Sequence, residues 1–337
     1  MQQIPLNADW FRGAVSFEAG DGWIQPHRLR AEILPLYWAD RLIGHSCTGA
    51  GVRLRIATDA EQLGLLLTPH GEQRRFDVVI DNRRIATVEQ AANEEQVNFD
   101  SLPAGEKVVE VWLSQRRPVR LRALQVPDAA AARPADDGRP KWVTYGSSIT
   151  HCGEAHSPAR TWPGVVAREH NLDLTCLGFG GECHVDPLLG ELLRDLPADV
   201  ISLKLGINVH GGSHGQRGFA PAVIGLVRSI RQKHPRTPIA LVSPIVSPPR
   251  EDDPGGCGMT LQQMRHDLRR VVELLEASGD GRILYVDGRE LFGQSDVEDG
   301  LMPDNLHPNG DGYERLGQRF AQRVMPRLLE MAGSESR

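Results

Sequence analysis

The sequence predicts a two-part chain, an all-β first part followed by a doubly wound, parallel α/β second part. Three observations predict it. The 337 residues exceed what one core ordinarily holds. Up to about residue 127, apolar residues alternate with polar ones, the two-residue period of half-buried strands. From Lys141 onward, short apolar runs and helical stripes take turns, strand then helix, through five strands.

In the first part, "VRLRIATD" sets Val52, Leu54 and Ile56 against arginines and a threonine. "FDVVIDNRRIATVE" breaks into two strands at Asp81-Asn82, a turn-forming pair. "KVVEVWLS" and "PVRLRALQV" alternate again. No helical stripe separates these runs, so residues 1–127 are expected to form an antiparallel jelly roll or sandwich. Trp10, Trp23, Tyr37, Trp38 and Trp112 are its candidate aromatics. All five could serve as platforms for a sugar ring, and for Trp38 and Trp112 a core position is the favoured reading. "PDAAAARPADDGRP" has no apolar face, and residues 128–140 are expected to be a linker.

Residues 141–337 carry the second pattern. The strands are "KWVTYG", "LDLTCLGF", "ADVISLKLG", "TPIALVSPI" and "RILYVDG". The helices between them include "TWPGVVAREH", "DPLLGELLRDL" and a stripe of Phe219, Val223, Leu226, Val227 and Ile230. Thr260 and Gln263 form a capping-box pair ahead of Leu261, Met264, Leu268, Val271, Val272 and Leu275. Tyr313, Leu316, Phe320 and Val324 line a last helix. Runs such as "VISL" and "IALV" fit strands covered on both faces.

Composition narrows the function. Forty per cent apolar and 24% charged residues describe a soluble globular chain. A net charge of −6 leaves no basic excess to neutralise phosphates, which argues against a nucleic-acid partner. No window of about 18 apolar residues exists, so no membrane span is expected. The N-terminus lacks a basic stretch followed by an apolar one, so no secretory signal is read there. The five cysteines (Cys47, Cys152, Cys176, Cys183 and Cys257) are scattered and include no CxxC. Reduced thiols in a cytoplasm are expected, with no metal and no cofactor.

In such a sheet, ligands bind beyond the carboxyl ends of the strands. After the first strand come Gly146, Ser147 and Ser148; after the second, Gly178 to Glu182; after the third, Gly206, Ile207 and Asn208. After the fifth strand and a loop come Asp304, Asn305, Leu306 and His307. One rim thus collects a hydroxyl, glycine-flanked backbone amides, a side-chain amide, a carboxylate and an imidazole. Those are the parts of acyl transfer: nucleophile, base, orienting acid and oxyanion donors. Each alone has a plainer reading. Ser147 suits a helix N-cap, Gly180-Gly181 a tight turn, Asn208 an Asx-turn, and Asp304 with His307 a helix entry. Glu154 reads as a first-turn residue beside a helix N-terminus. All of them in this order, each after its own strand, is the informative feature.

The ordered set resembles the SGNH (GDSL-type) hydrolase family. Gly146-Ser147-Ser148 matches its Gly-Asp-Ser-like turn, Gly178-Phe179-Gly180-Gly181 its glycine block, Gly206-Ile207-Asn208 its Gly-x-Asn block, and Asp304-Asn305-Leu306-His307 its Asp-x-x-His block. The resemblance covers about residues 141 to 330 and implies a flavodoxin-like three-layer α/β/α domain with a parallel five-stranded sheet. It implies Ser148 as nucleophile, His307 as base and Asp304 as the residue orienting it. The Ser148 and Gly181 N–H groups and the Asn208 amide would be the oxyanion donors. Ser147 replaces the usual aspartate, and Val209 stands where many members carry one; neither position belongs to the triad. The implied activity is hydrolysis of a small or sugar-linked carboxylic ester through an acyl-enzyme. The alternative is transfer of the acyl group to a sugar or natural-product hydroxyl. The sandwich part resembles carbohydrate-binding modules, so the expected partner is a small-molecule ester, with a carbohydrate ester favoured.

Two motifs compete. Gly211-Gly212-Ser213-His214-Gly215 matches Gly-x-Ser-x-Gly, but it falls mid-loop rather than at a strand-to-helix elbow. A mobile loop beside the site is the expected role. Gly178-x-Gly180-x-x-Cys183 lacks the third glycine of a dinucleotide fingerprint.

Overall fold

The computed structural model describes residues 1–333. The chain divides into two compact units. One is Met1–Arg139 with Ser157–Ala159 and Asp173–Cys176; the other is Pro140–His156, Arg160–Leu172 and Leu177–Arg337.

The first unit contains strands β1 (Gln2–Ile4), β2 (Phe11–Arg12), β3 (Ser16–Gly20), β4 (Trp23–His27), β5 (Arg53–Thr58), β6 (Leu63–Leu67), β7 (Arg74–Ile80), β8 (Arg83–Gln90), β9 (Gln96–Phe99), β10 (Lys107–Trp112), β11 (Leu121–Val126) and β12 (Ala132–Pro134), with helix α1 (Asp40–Ser46). They make two antiparallel sheets. One runs β3-β4-β11-β6-β9 with β1 on β11; the other runs β12-β5-β10-β7-β8 with β2 on β5. The alternation explains the core. Val52, Leu54 and Ile56 point inward with Val109, Val111, Leu65 and Leu124, all fully buried. Asp81 (φ 49°) and Asn82 (φ 60°) both adopt the left-handed conformation that a two-residue hairpin needs, and they join β7 to β8.

Two expectations change here. The segment expected as a linker, residues 128–140, includes β12, which pairs Ala132, Arg133 and Pro134 with Thr58, Ala57 and Ile56 of β5. An edge strand needs only backbone pairing on one side, so Ala-Arg-Pro can join a sheet without an apolar face. Of the five aromatics, Trp10, Tyr37 and Trp112 are core residues, and Trp23 lies half-buried under the Arg120 guanidinium. Trp38 alone of these is open to solvent, 89% exposed and at φ 65°, a conformation that bulky side chains rarely adopt.

The second unit holds strands β13 (Lys141–Gly146), β14 (Asp173–Gly178), β15 (Val200–Lys204), β16 (Ile239–Val242) and β17 (Ile283–Val286). Its helices are α2 (Ser148–His151), α3 (Trp162–Glu169), α4 (Pro187–Asp195), α5 (Phe219–Arg231), α6 (Leu261–Ala277), α7 (Gly288–Leu291), α8 (Gln294–Glu298), α9 (Gly310–Arg323) and α10 (Met325–Gly333). The sheet is β14-β13-β15-β16-β17, and β13, β15, β16 and β17 pair in parallel. This is the three-layer α/β/α arrangement that the sequence predicts. Helix α3 packs against α9, and α5 packs against both α4 and α6, so the helices form two groups that flank the sheet. Trp142 of β13, Trp162 of α3 and Phe320 of α9 stack between sheet and helices, with ring centroids 5.0–5.7 Å apart. Burial of each such ring contributes about 2–3 kcal/mol. Thr260 and Gln263 exchange both bonds of the capping box at the start of α6. Two short helices, α7 and α8, fill the stretch after β17 that was expected to be loop. No helix among the described residues is long and apolar enough to cross a membrane.

Candidate active site

The turn that holds Ser148, the candidate nucleophile, is built by its neighbours. Ser147 is extended (φ −81°, ψ −160°) and its hydroxyl accepts the Ile149 N–H, so it caps α2. Ser148 is then the first helical residue, whose N–H has no acceptor within the helix. Cys152 (φ 58°) ends α2 after one turn. Glu154 therefore lies beyond that helix, not in its first turn, which corrects the capping role expected of it. Gly178 is a place where only glycine fits. A Cβ there would sit 2.3 Å from the His151 backbone nitrogen, so its absence lets α2 lie against the end of β14.

Ser148 Oγ is 2.9 Å from His307 Nε2, and His307 Nδ1 is 2.7 Å from Asp304 Oδ2. The second carboxylate oxygen accepts the His307 N–H at 2.6 Å and the Leu306 N–H at 3.0 Å. Asp304 therefore folds its own loop and fixes the ring together. A carboxylate only accepts, so Nδ1 carries the proton, and Nε2 is left to accept from the Ser148 hydroxyl. Partial burial works against the Asp304 charge, but the bonds from the His307 backbone and ring and from the Leu306 N–H outweigh it. They hold the carboxyl below its usual range. Asp304 is 53% exposed and His307 28% exposed, so this side of the site opens to solvent.

The glycine block is a β-turn. The Glu182 N–H bonds the Phe179 carbonyl at 3.1 Å, and Gly181 takes the third position at φ 79°, where glycine costs no strain. Two bonds tie this turn to the rest of the rim. The Phe179 N–H donates to Gly146 O at 2.9 Å, two residues before Ser148. The Cys183 N–H donates to Asn208 Oδ1 at 3.0 Å. Asn208 thus holds the neighbouring loop rather than closing an Asx-turn of its own, and its NH2 remains available as a donor. His184 adds a further link: Nε2 donates to the Gly181 carbonyl at 2.9 Å, and Nδ1 lies 2.8 Å from Ser213 Oγ. Ser213, the competing nucleophile motif, sits in an exposed loop and partners His184, and His214 Nε2 donates to the His184 carbonyl.

Sequence reasoning missed the residues around the loop of Asp304 and His307. Arg265 of α6 is buried, donates to the carbonyls of Pro244 and Ile245, and pairs in fork geometry with Glu251 at 2.6 and 2.8 Å. Burial opposes the Glu251 charge, but the Arg265 bonds prevail and lower its pKa. A signal was present: Arg265 falls on the same stripe as Leu261, Met264 and Leu268, where a charge needs a buried partner.

Comparisons with known proteins cover both parts of the chain. The GDSL-like Lipase/Acylhydrolase family matches residues 144–315, a span that contains Ser148, Asn208, Asp304 and His307. Residues 10–122 match the N-terminal domain of SsfX3. Among solved structures, the salicylyl-acyltransferase SsfX3 from a tetracycline biosynthetic pathway is 32% identical, covering 96% of this chain and 98% of its own at a TM-score of 0.89. A putative GDSL-like lipase from Bacteroides ovatus is 18% identical over 98% of both chains (TM-score 0.76). A family two carbohydrate esterase from Clostridium thermocellum is 15% identical over 94% of this chain and 99% of its own (TM-score 0.69). The latter two likenesses speak for the fold alone. No curated protein sequence gave a match. With its parallel α/β/α sheet and a family match over half its length, this chain belongs to the GDSL-like lipase/acylhydrolase family.

Proposed function

We propose that the protein is a serine acyl-transfer enzyme that cleaves a carboxylic ester through an acyl-enzyme on Ser148. The observation that carries this reading is the hydrogen-bonded series Ser148 Oγ, His307, Asp304. His307 Nε2 takes the Ser148 proton as Oγ attacks the ester carbonyl. The negative charge that develops on the carbonyl oxygen is held by the Ser148 and Gly181 N–H groups and the Asn208 amide. A donor of this kind is worth about 2.7–4 kcal/mol in a dry site, and less where solvent screens it. The imidazolium, steadied by Asp304, returns the proton to the leaving alcohol. Water then attacks the acyl-enzyme by the same route in reverse roles. The substrate in this reading is a small or sugar-linked ester. The reaction runs in a cytoplasm, a reading supported by five cysteines that are all free.

A second reading has its own support. The 32% identity to a salicylyl-acyltransferase extends over both units, and the first unit matches that protein's N-terminal domain. In this version an alcohol, a sugar or natural-product hydroxyl, intercepts the acyl-enzyme instead of water. The difference is which nucleophile reaches the acyl group, so product partition decides it. Aryl and acetyl esters are turned over with and without candidate hydroxyl acceptors, alongside Ser148→Ala. Free acid as the main product with every acceptor supports the hydrolase; acylated acceptor dominating at millimolar alcohol supports the transferase. Unchanged turnover by Ser148→Ala refutes both.

For the first unit we propose a carbohydrate-module-like role resting on the exposed ring of Trp38. Retardation of the protein in gels containing soluble polysaccharide, lost in Trp38→Ala, is the expected result. Equal mobility of the two proteins in every gel would remove that role.

A further inference from the structure

Asp304 and His307 stand on an exposed loop between α8 and α9, yet the proton route needs His307 Nε2 held at 2.9 Å from Ser148 Oγ. Local bonds within the loop set its shape, but they do not set its place against the sheet. The anchor comes from the segment after β16. Ser247, fully buried, donates its hydroxyl to the Asn305 carbonyl at 2.7 Å. Arg250 Nη1 donates to Ser247 Oγ at 2.9 Å and reaches the same carbonyl at 3.4 Å. Glu251 Oε1 accepts the Ser247 N–H at 3.1 Å. Glu251 is itself gripped by Arg265, which also holds the carbonyls of Pro244 and Ile245. Asn305 takes a left-handed conformation (φ 58°), and this turns the loop between the triad acid and base.

Resting on the reading of Ser148, His307 and Asp304 as the triad, we infer that Ser247 and Arg250 are positioning residues, clamping the acid–base loop through the Asn305 carbonyl. The clamp touches neither substrate nor reacting atoms. Its chain of bonds runs from buried Arg265 to a backbone carbonyl next to Asp304, so α6 sets where the imidazole sits. A loop freed of it would sample positions in which Nε2 is out of reach, and a displacement of about 1 Å can cost 100-fold in rate. Productive geometry on loops depends on such outer support.

The test compares Arg250→Met and Ser247→Ala with wild type on a p-nitrophenyl ester, each rate normalised to active sites titrated with a fluorophosphonate. The expected result is a fall in kcat of about 10- to 100-fold for Arg250→Met, with KM changed by less than about threefold. Added guanidinium ion, at concentrations that leave the wild type unaffected, should restore a large part of the loss. Ser247→Ala should lose a similar factor, and the double variant little more than either, since both act on one carbonyl. Wild-type kcat in both variants, a rise in KM alone, or multiplicative losses would overturn the inference. If Ser148→Ala, run in parallel, keeps full turnover, the triad reading falls and the clamp with it. If Ser148→Ala is dead and the clamp variants are unimpaired, only the clamp falls.

Discussion

The two halves of the candidate site are held in different ways. On the nucleophile side, Ser148 follows β13 directly, its neighbour Ser147 caps the helix, and Gly178 lets that helix lie against β14. Its placement follows from the sheet itself. On the acid–base side, Asp304 and His307 stand on a half-exposed loop, held by the bonds of Asp304 to its own loop and by Ser247 and Arg250 from elsewhere. Substitution of Ser148 itself should therefore act through its chemistry alone. Substitutions around His307 should act through geometry as well.

The largest effect expected is on the nucleophile. Ser148→Ala should lower kcat by about 10⁴-fold or more, measured on an activated ester, with its far-ultraviolet circular dichroism unchanged. Next is Asp304→Asn, with a loss of about 10²- to 10⁴-fold. An asparagine can offer its NH2 to Nδ1 and so favour the wrong tautomer. A loss under tenfold would mean that the loop, not the charge, orients the ring. Asn208→Ala should cost about 10-fold to 100-fold in kcat, below the figure for a dry site because the rim is open. An unchanged kcat would remove Asn208 from the oxyanion donors.

The smallest expected effect is on stability, and it sharpens the contrast from the nucleophile side. Lys204, at the end of β15 and paired in register with Gly146, is 3% exposed. Burial depresses its pKa to about 8, with Cys183 and Cys152 opposing and Arg265 assisting. The unfolded chain, with an ordinary lysine near 10.4, binds more protons between these values. Folding stability should therefore rise as pH goes from about 8 to 10, and the charged lysine costs up to about 3 kcal/mol below pH 8. Lys204→Met should stabilise the protein at pH 7 by about 1–3 kcal/mol in urea unfolding and flatten that rise. If Lys204→Met instead destabilises at pH 7, the buried ammonium is engaged in an interaction that outweighs its desolvation.

Much of the architecture was legible because it depends on local pattern. The strands of the parallel sheet read as apolar runs, and their carboxyl ends gathered the stretches holding Ser148, Gly181, Asn208, Asp304 and His307 at one rim, while the roles within them came from the resemblance to the SGNH family. The hairpin at Asp81-Asn82 and the capping box at Thr260 are likewise local. What escaped notice depends on pairings that no side-chain pattern announces. β12 joins β5 by backbone pairing that needs no side-chain pattern. The bond from His184 to Gly181 O and the Arg265–Glu251 pair leave no periodic trace, although a charged residue on the buried stripe of α6 was a visible anomaly. Trp38 and Trp112 carried the same expectation of a core position, yet Trp112 is buried and Trp38 is exposed. Only the course of the backbone separates the buried rings from Trp38.

In the proposed reaction Ser148 alone carries the acyl group. The most direct measurement is peptide mapping by mass spectrometry after reaction with a fluorophosphonate. A single adduct on Ser148 is expected in the wild type, and none in Ser148→Ala. An adduct on Ser147 or Ser213, or labelling that survives in Ser148→Ala, would contradict it.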